Sequence, residues 1–199
     1  MSDPDFASSS RTSVLRGVAL LGTGRPAGLR QFGGSSQSFL ASLAPLIAFP
    51  AVFAVLEAAQ GNNEAALRRL LGSACVLLSP PVLSHAVARF WGRDAAWLRF
   101  ATAFNWCQWA IPAAASLLFL AIDAWMALGL PRDPAASFIL YGLMAYALWL
   151  HWFLMRHGLQ LSALRAAAGT AFVNLGTGLL FVGPGLIRLW LSEAEGPRP

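Results

Sequence analysis

The chain has no lysine: all 14 of its basic residues are arginine. Without lysine there is no Walker-type phosphate loop. Cysteine is nearly absent too, and Cys75 and Cys107 form no Cys-x-x-Cys pair. Neither His-Glu-x-x-His nor Gly-x-Ser-x-Gly occurs, and the glycines at 22, 24 and 28 miss the dinucleotide spacing and follow no strand. Acidic residues number only nine, and none lies in the middle of a long apolar stretch. This removes the usual carboxylate of a proton-coupled carrier or an intramembrane acid protease. The sequence therefore predicts a protein that is not an enzyme and that holds no cofactor or metal.

What the chain has in abundance is apolar surface. It is 57% hydrophobic and 12% charged, with a mean hydropathy of +0.58, which belongs to integral membrane proteins. The net charge of +5 comes from arginines dispersed at the ends of apolar segments, where they act as topology signals and headgroup contacts. No basic cluster is interleaved with exposed aromatics, so nucleic acid is not an expected partner. The expected partners are the lipid bilayer and other membrane subunits or further copies of the chain. The all-arginine usage with abundant alanine, glycine and proline reads as a GC-rich coding bias and points to a bacterium.

The chain is organised around 100–122, FATAFNWCQWAIPAAASLLFLAI, about 34 Å of helix against a bilayer core of about 30 Å. It is the third of five such stretches, the others being 39–59, 63–90, 138–155 and 166–191. The expected fold is all-α, a bundle of five transmembrane helices with an N-terminal amphipathic segment. The expected division is a cytoplasmic N-terminal segment at 1–37, a transmembrane domain at 38–191 and a polar tail at 192–199. Residues 1–10 have nothing to bury and are expected to be disordered. No signal peptide is expected, because the apolar run at 17–22 is shorter than an h-region. From Thr12 or Ser13, the residues Val14, Leu15, Val18 and Leu21 recur at helical spacing opposite Arg16, as in a helix lying on a membrane surface. Pro45 and Pro50 should bend the first span, Pro80-Pro81 should break the second, and Gly183-Pro184-Gly185 should open the fifth.

Five spans place the termini on opposite sides, and arginine counts orient them. With the N-terminus inside, nine arginines are cytoplasmic (11, 16, 25, 30, 89, 93, 99, 156 and 165) and five are outside. The expected location is the bacterial inner membrane with a cytoplasmic N-terminus. In this topology His85, Asn105 and His151 each lie about five residues from the cytoplasmic end of their helices, and Thr102, Asn105 and Gln108 form a polar stripe. This candidate polar layer of His85, Asn105, Gln108 and His151 reads as interhelical hydrogen bonding or as a site, with Arg89 and Arg156 as candidate anion or lipid contacts. A haem held by His85 and His151 is a more remote reading. In the last span Thr170, Asn174 and Gly178 recur every four residues and form the candidate helix-packing face. Cys75 and Cys107 are offset by roughly 12 Å along the bundle and should not form a disulfide.

The five-span layout with its long N-terminal segment and tight loops, together with Phe104-Asn105-Trp106 opening the third span, resembles the Yip1-like membrane proteins and bacterial inner-membrane proteins of that layout. The resemblance carries over no functional residue. It fits a non-enzymatic scaffold or an accessory subunit of a membrane complex, with a small transporter or a lipid- or anion-binding protein as the alternative.

Overall fold

The computed structural model describes residues 6–129 and 132–194. Seven α-helices occur among them, α1 (Phe6–Gly22), α2 (Ser36–Ala59), α3 (Asn63–Phe90), α4 (Asp94–Cys107), α5 (Ala110–Ala127), α6 (Arg132–Gly158) and α7 (Ala163–Ala194), with a 3-10 helix at Pro26–Gln31 and no strand. Four helical segments among the described residues are long and apolar enough to cross a membrane: Ser36–Ala59, Asn63–Phe90, Asp94–Ala127 and Ala163–Gly183. This is compatible with an integral membrane protein. The fourth expected span, 138–155, lies within α6, which is not one of these four.

The centre of the bundle is α4. Every residue from Phe100 to Asn105 is buried, because α1, α2, α3 and α6 all pack around it. The third stretch is thus central only in its first half; α5 buries Ile122 alone and lies mainly against α6. The two halves meet in a tightened turn at Gln108-Trp109, where the Trp109 N–H bonds to Trp106 O at 3.2 Å. Pro112 is the cause, since its ring nitrogen cannot donate to Gln108 O and its ring crowds that carbonyl. A second sheet of contacts runs α2 on α3, α3 on α7 and α7 on α6.

Two proline expectations are corrected. Residues 63–90 form one continuous helix through Pro80-Pro81. Pro80 leaves the Val76 carbonyl without its i+4 donor, and the Ser79 hydroxyl donates to that carbonyl at 2.8 Å instead. Likewise α7 runs through the Gly183-Pro184-Gly185 segment without a break.

The N-terminal region also differs from expectation. Helix α1 starts at Phe6, so residues 6–10 are helical; residues 1–5 and 195–199 lie outside the described residues. Leu21 is fully buried, and Val14 and Val18 pack against the same core, while Leu15 is exposed. The face expected to rest on lipid therefore rests on the bundle. The joint is close: a Cβ on Gly28 would meet Gly17 O and Leu21 Cγ at 2.8 Å, and one on Gly17 would meet the Phe32 ring at 2.6 Å. Only glycine lets α1 and the 3-10 helix approach this far. Tyr146 Oη adds a hydrogen bond to Gly22 O at 3.0 Å, tying α1 to α6.

Candidate functional site

The polar residues of the apolar region fall into pairs between helices. Asn105 Nδ2 donates to Ser42 Oγ at 2.9 Å, joining α4 to α2, and Ser42 in turn donates to Phe39 O. Ser79 Oγ and Thr177 Oγ1 are hydrogen-bonded at 2.9 Å, joining α3 to α7, with the Thr177 hydroxyl as donor because the Ser79 proton goes to Val76 O. His151 Nδ1 and Asn174 Oδ1 are 3.0 Å apart, joining α6 to α7, while Asn174 Nδ2 donates to Thr170 O. Since an amide oxygen only accepts, the proton of this bond sits on Nδ1, which leaves Nε2 as the ring's second polar atom. That Nε2 is buried with no partner among the described residues, as is Thr170 Oγ1.

Several of these residues, Asn105, His151, Asn174 and Thr177, together with Gln108, line one cavity of about 440 Å³ walled by α2, α3, α4, α6 and α7. Three of the four residues expected to share a layer thus converge. His85 does not. It is 45% exposed, 4.5 Å from the Trp97 ring centroid, and its Nε2 lies 4.0 Å from Asp94 Oδ1. The reason is angular: five residues from Pro80, which lines the cavity, a helical side chain is turned by about 140°. Equal depth along the sequence says nothing about direction around the axis. A haem held by both imidazoles needs them to face one space, and these two side chains do not provide it.

The arginines expected beside the layer lie elsewhere. Arg89 and Arg156 are exposed and do not line this cavity, and Arg156 Cζ stands 5.3 Å from the Trp152 ring centre. A separate cleft opens at the same end of the bundle around Arg30, Arg93 and Arg99, beside Gly34, Gly92 and Gly158. In the sequence those arginines read only as topology signals and headgroup contacts. Arg93 follows Gly92, and Arg99 folds against Gly34, positions without a side chain.

On the packing face, Thr170 is buried and Asn174 half-buried, but Gly178 is corrected: a Cβ there would meet nothing within 4 Å. The close approach occurs at Gly176, where a Cβ would lie 2.7 Å from Leu83 Cδ1, and at Gly169 against Val87 and Trp91. The contact face follows 166, 169/170, 173 and 176/177, the 3–4 alternation of a helix. A strict spacing of four drifts off it. Both cysteines are free, Cys75 exposed and Cys107 buried. Among the described residues no cluster of three metal-ligating side chains occurs. No protein-family model, curated protein or solved structure matches the chain.

Proposed function

We propose that this chain is a non-enzymatic scaffold or accessory subunit of a membrane complex, crossing a bacterial inner membrane five times with its N-terminus in the cytoplasm. The carrying observation is the exposure of α5. Leu117, Phe119 and Leu120 are all more than half exposed, and a helix that buries only Ile122 offers most of its circumference to lipid or to another transmembrane segment. The buried core gathers instead around α4 and the α6–α7 turn, so one end of the bundle is firmly packed and the other is open. The paired polar groups fit this reading, since interhelical hydrogen bonds of this kind contribute about 0.6 kcal/mol each and need no ligand. The resemblance to Yip1-like layout points the same way. The test is a photo-crosslinking residue at Leu117 or Leu120, followed by purification in mild detergent and native mass spectrometry. A crosslink to a second polypeptide or a second copy supports the proposal; lipid adducts alone at both positions overturn it.

A second reading, a small transporter or a lipid-binding protein, rests on the unpartnered His151 Nε2 beside the 440 Å³ cavity. An odd number of spans disfavours an internal inverted repeat, so a carrier of this kind would work as a dimer. A solute-dependent flux in proteoliposomes that disappears with His151→Phe would favour it over the scaffold.

A further inference from the structure

We infer that the cleft at the arginine-rich end of the bundle is a binding site for a phosphate-bearing anion, held by Arg30, Arg93 and Arg99. The three guanidinium groups come from three separate elements: the 3-10 helix, the turn between α3 and α4, and α4 itself. They surround a concave space of about 850 Å³. Dispersed topology arginines on a convex surface would not do this.

Charge balance separates this cleft from the others. Towards the opposite end, a cavity of about 570 Å³ is bordered by Arg68 and Arg69, but Arg68 pairs with Glu64 and Arg69 Nε lies 3.3 Å from Glu57 Oε2. Those charges are already answered. Among the described residues no carboxylate comes within 4 Å of Arg30, Arg93 or Arg99. Asp94, the nearest in sequence, has its carboxylate 4.0 Å from His85 Nε2 and does not line the cleft.

The backbone is arranged to suit an anion. Helix α4 begins here, with Ala95 and Ala96 of its first turn lining the cleft, so the positive end of its dipole borders the space. Gly92, at φ +64°, closes α3 with the Arg93 N–H bonded to Ala88 O at 2.7 Å, which fixes where Arg93 leaves the chain. Across from it the Arg99 side chain lies along Gly34, where a Cβ would stand 3.7 Å from Arg99 Cβ and 3.9 Å from its Nε. Three arginines around one space, each with a planar guanidinium fork, match the several oxygens of a phosphate group, which accept paired N–H bonds. The volume exceeds what bare phosphate fills and falls in the range of sites for larger molecules. Two sources share this chemistry, an anionic phospholipid headgroup and a free phosphate.

The test uses the full chain, delipidated in a neutral maltoside detergent. Binding is read by native mass spectrometry and by the thermal midpoint in three arms: inorganic phosphate, short-chain phosphatidylglycerol, and short-chain phosphatidylcholine at equal concentration. The inference expects one bound phosphatidylglycerol or phosphate and a weaker response to phosphatidylcholine. Binding in the phosphate arm identifies a soluble source, and binding confined to phosphatidylglycerol identifies a headgroup. Arg93→Gln with Arg99→Gln should weaken that binding about tenfold or more, because charge-assisted bonds are lost. Ala95→Glu should do the same by placing a carboxylate in the cleft, at a first-turn position where acid is compatible with the helix. Arg89→Gln with Arg165→Gln removes the same charge outside the cleft and should leave affinity unchanged. No binding by the wild-type chain, or equal loss in the Arg89/Arg165 variant, would overturn the inference.

Discussion

The Asn105 amide donates to Ser42 Oγ at 2.9 Å across the α4–α2 contact, and both side chains are buried. Ser42 keeps a partner without it, because its own proton goes to Phe39 O. Asn105→Leu should therefore cost only about 0.6–1.5 kcal/mol, the range for a single net hydrogen bond. Asn105→Asp should cost several times more by setting an unpaired charge in the core. Unfolding of the two variants in the same detergent checks the order.

Gly176 and Gly178 are two residues apart on α7, yet only the first meets another helix. Gly176→Leu should destabilise by about 1–3 kcal/mol through overpacking against Leu83. Gly178→Leu should be neutral in the monomer. A comparison of thermal midpoints decides it, and a marked loss at Gly178 would instead signal a contact with a second molecule.

Gly28→Ala should loosen α1, because the new methyl meets the backbone oxygen of Gly17, which cannot rotate away. The expected cost is about 1–3 kcal/mol. The sharper readout is protease cleavage between α1 and α2, which should become faster at temperatures where the rest of the bundle is intact.

His157, in the last turn of α6, is held below its ordinary value of 6.5, first by burial and then by the neighbouring Arg156 charge. Its neutral form is the one the fold favours. The associated stability is therefore present above pH 6.5 and is lost as pH falls through the lowered value. NMR titration of the ring should give a midpoint below 6.5, and His157→Gln should flatten that part of the stability profile. His157 also lines the arginine cleft, so a bound anion should move its midpoint upward.

The parts of this fold that were legible were those set by length and composition. Helices at 36–59 and 63–90 follow from apolar runs between turn residues, and their ends agree with the sequence within three residues. The Glu64–Arg68 ion pair has the i, i+4 spacing that a helix over 63–90 brings together. What depends on direction around a helix was less so. Depth along the sequence groups His85 with His151, yet His85 points elsewhere, and a spacing of four picks out Gly178 although the close approach is at Gly176. The continuity of α3 depends on Ser79 supplying the donor that Pro80 lacks, a compensation that a proline rule alone does not contain. The arginine cleft depends on three elements far apart in sequence meeting at one end, which composition cannot express.

The proposed five membrane crossings with the arginine-rich end inside are tested directly by topology reporters fused after successive loops. Fusions after Gly34, Asp94 and His157 should read cytoplasmic, and those after Asn62, Asp133 and Glu195 periplasmic. A cytoplasmic reading after Asp133 or Glu195 would contradict five spans, and a periplasmic reading after Gly34 would contradict the orientation.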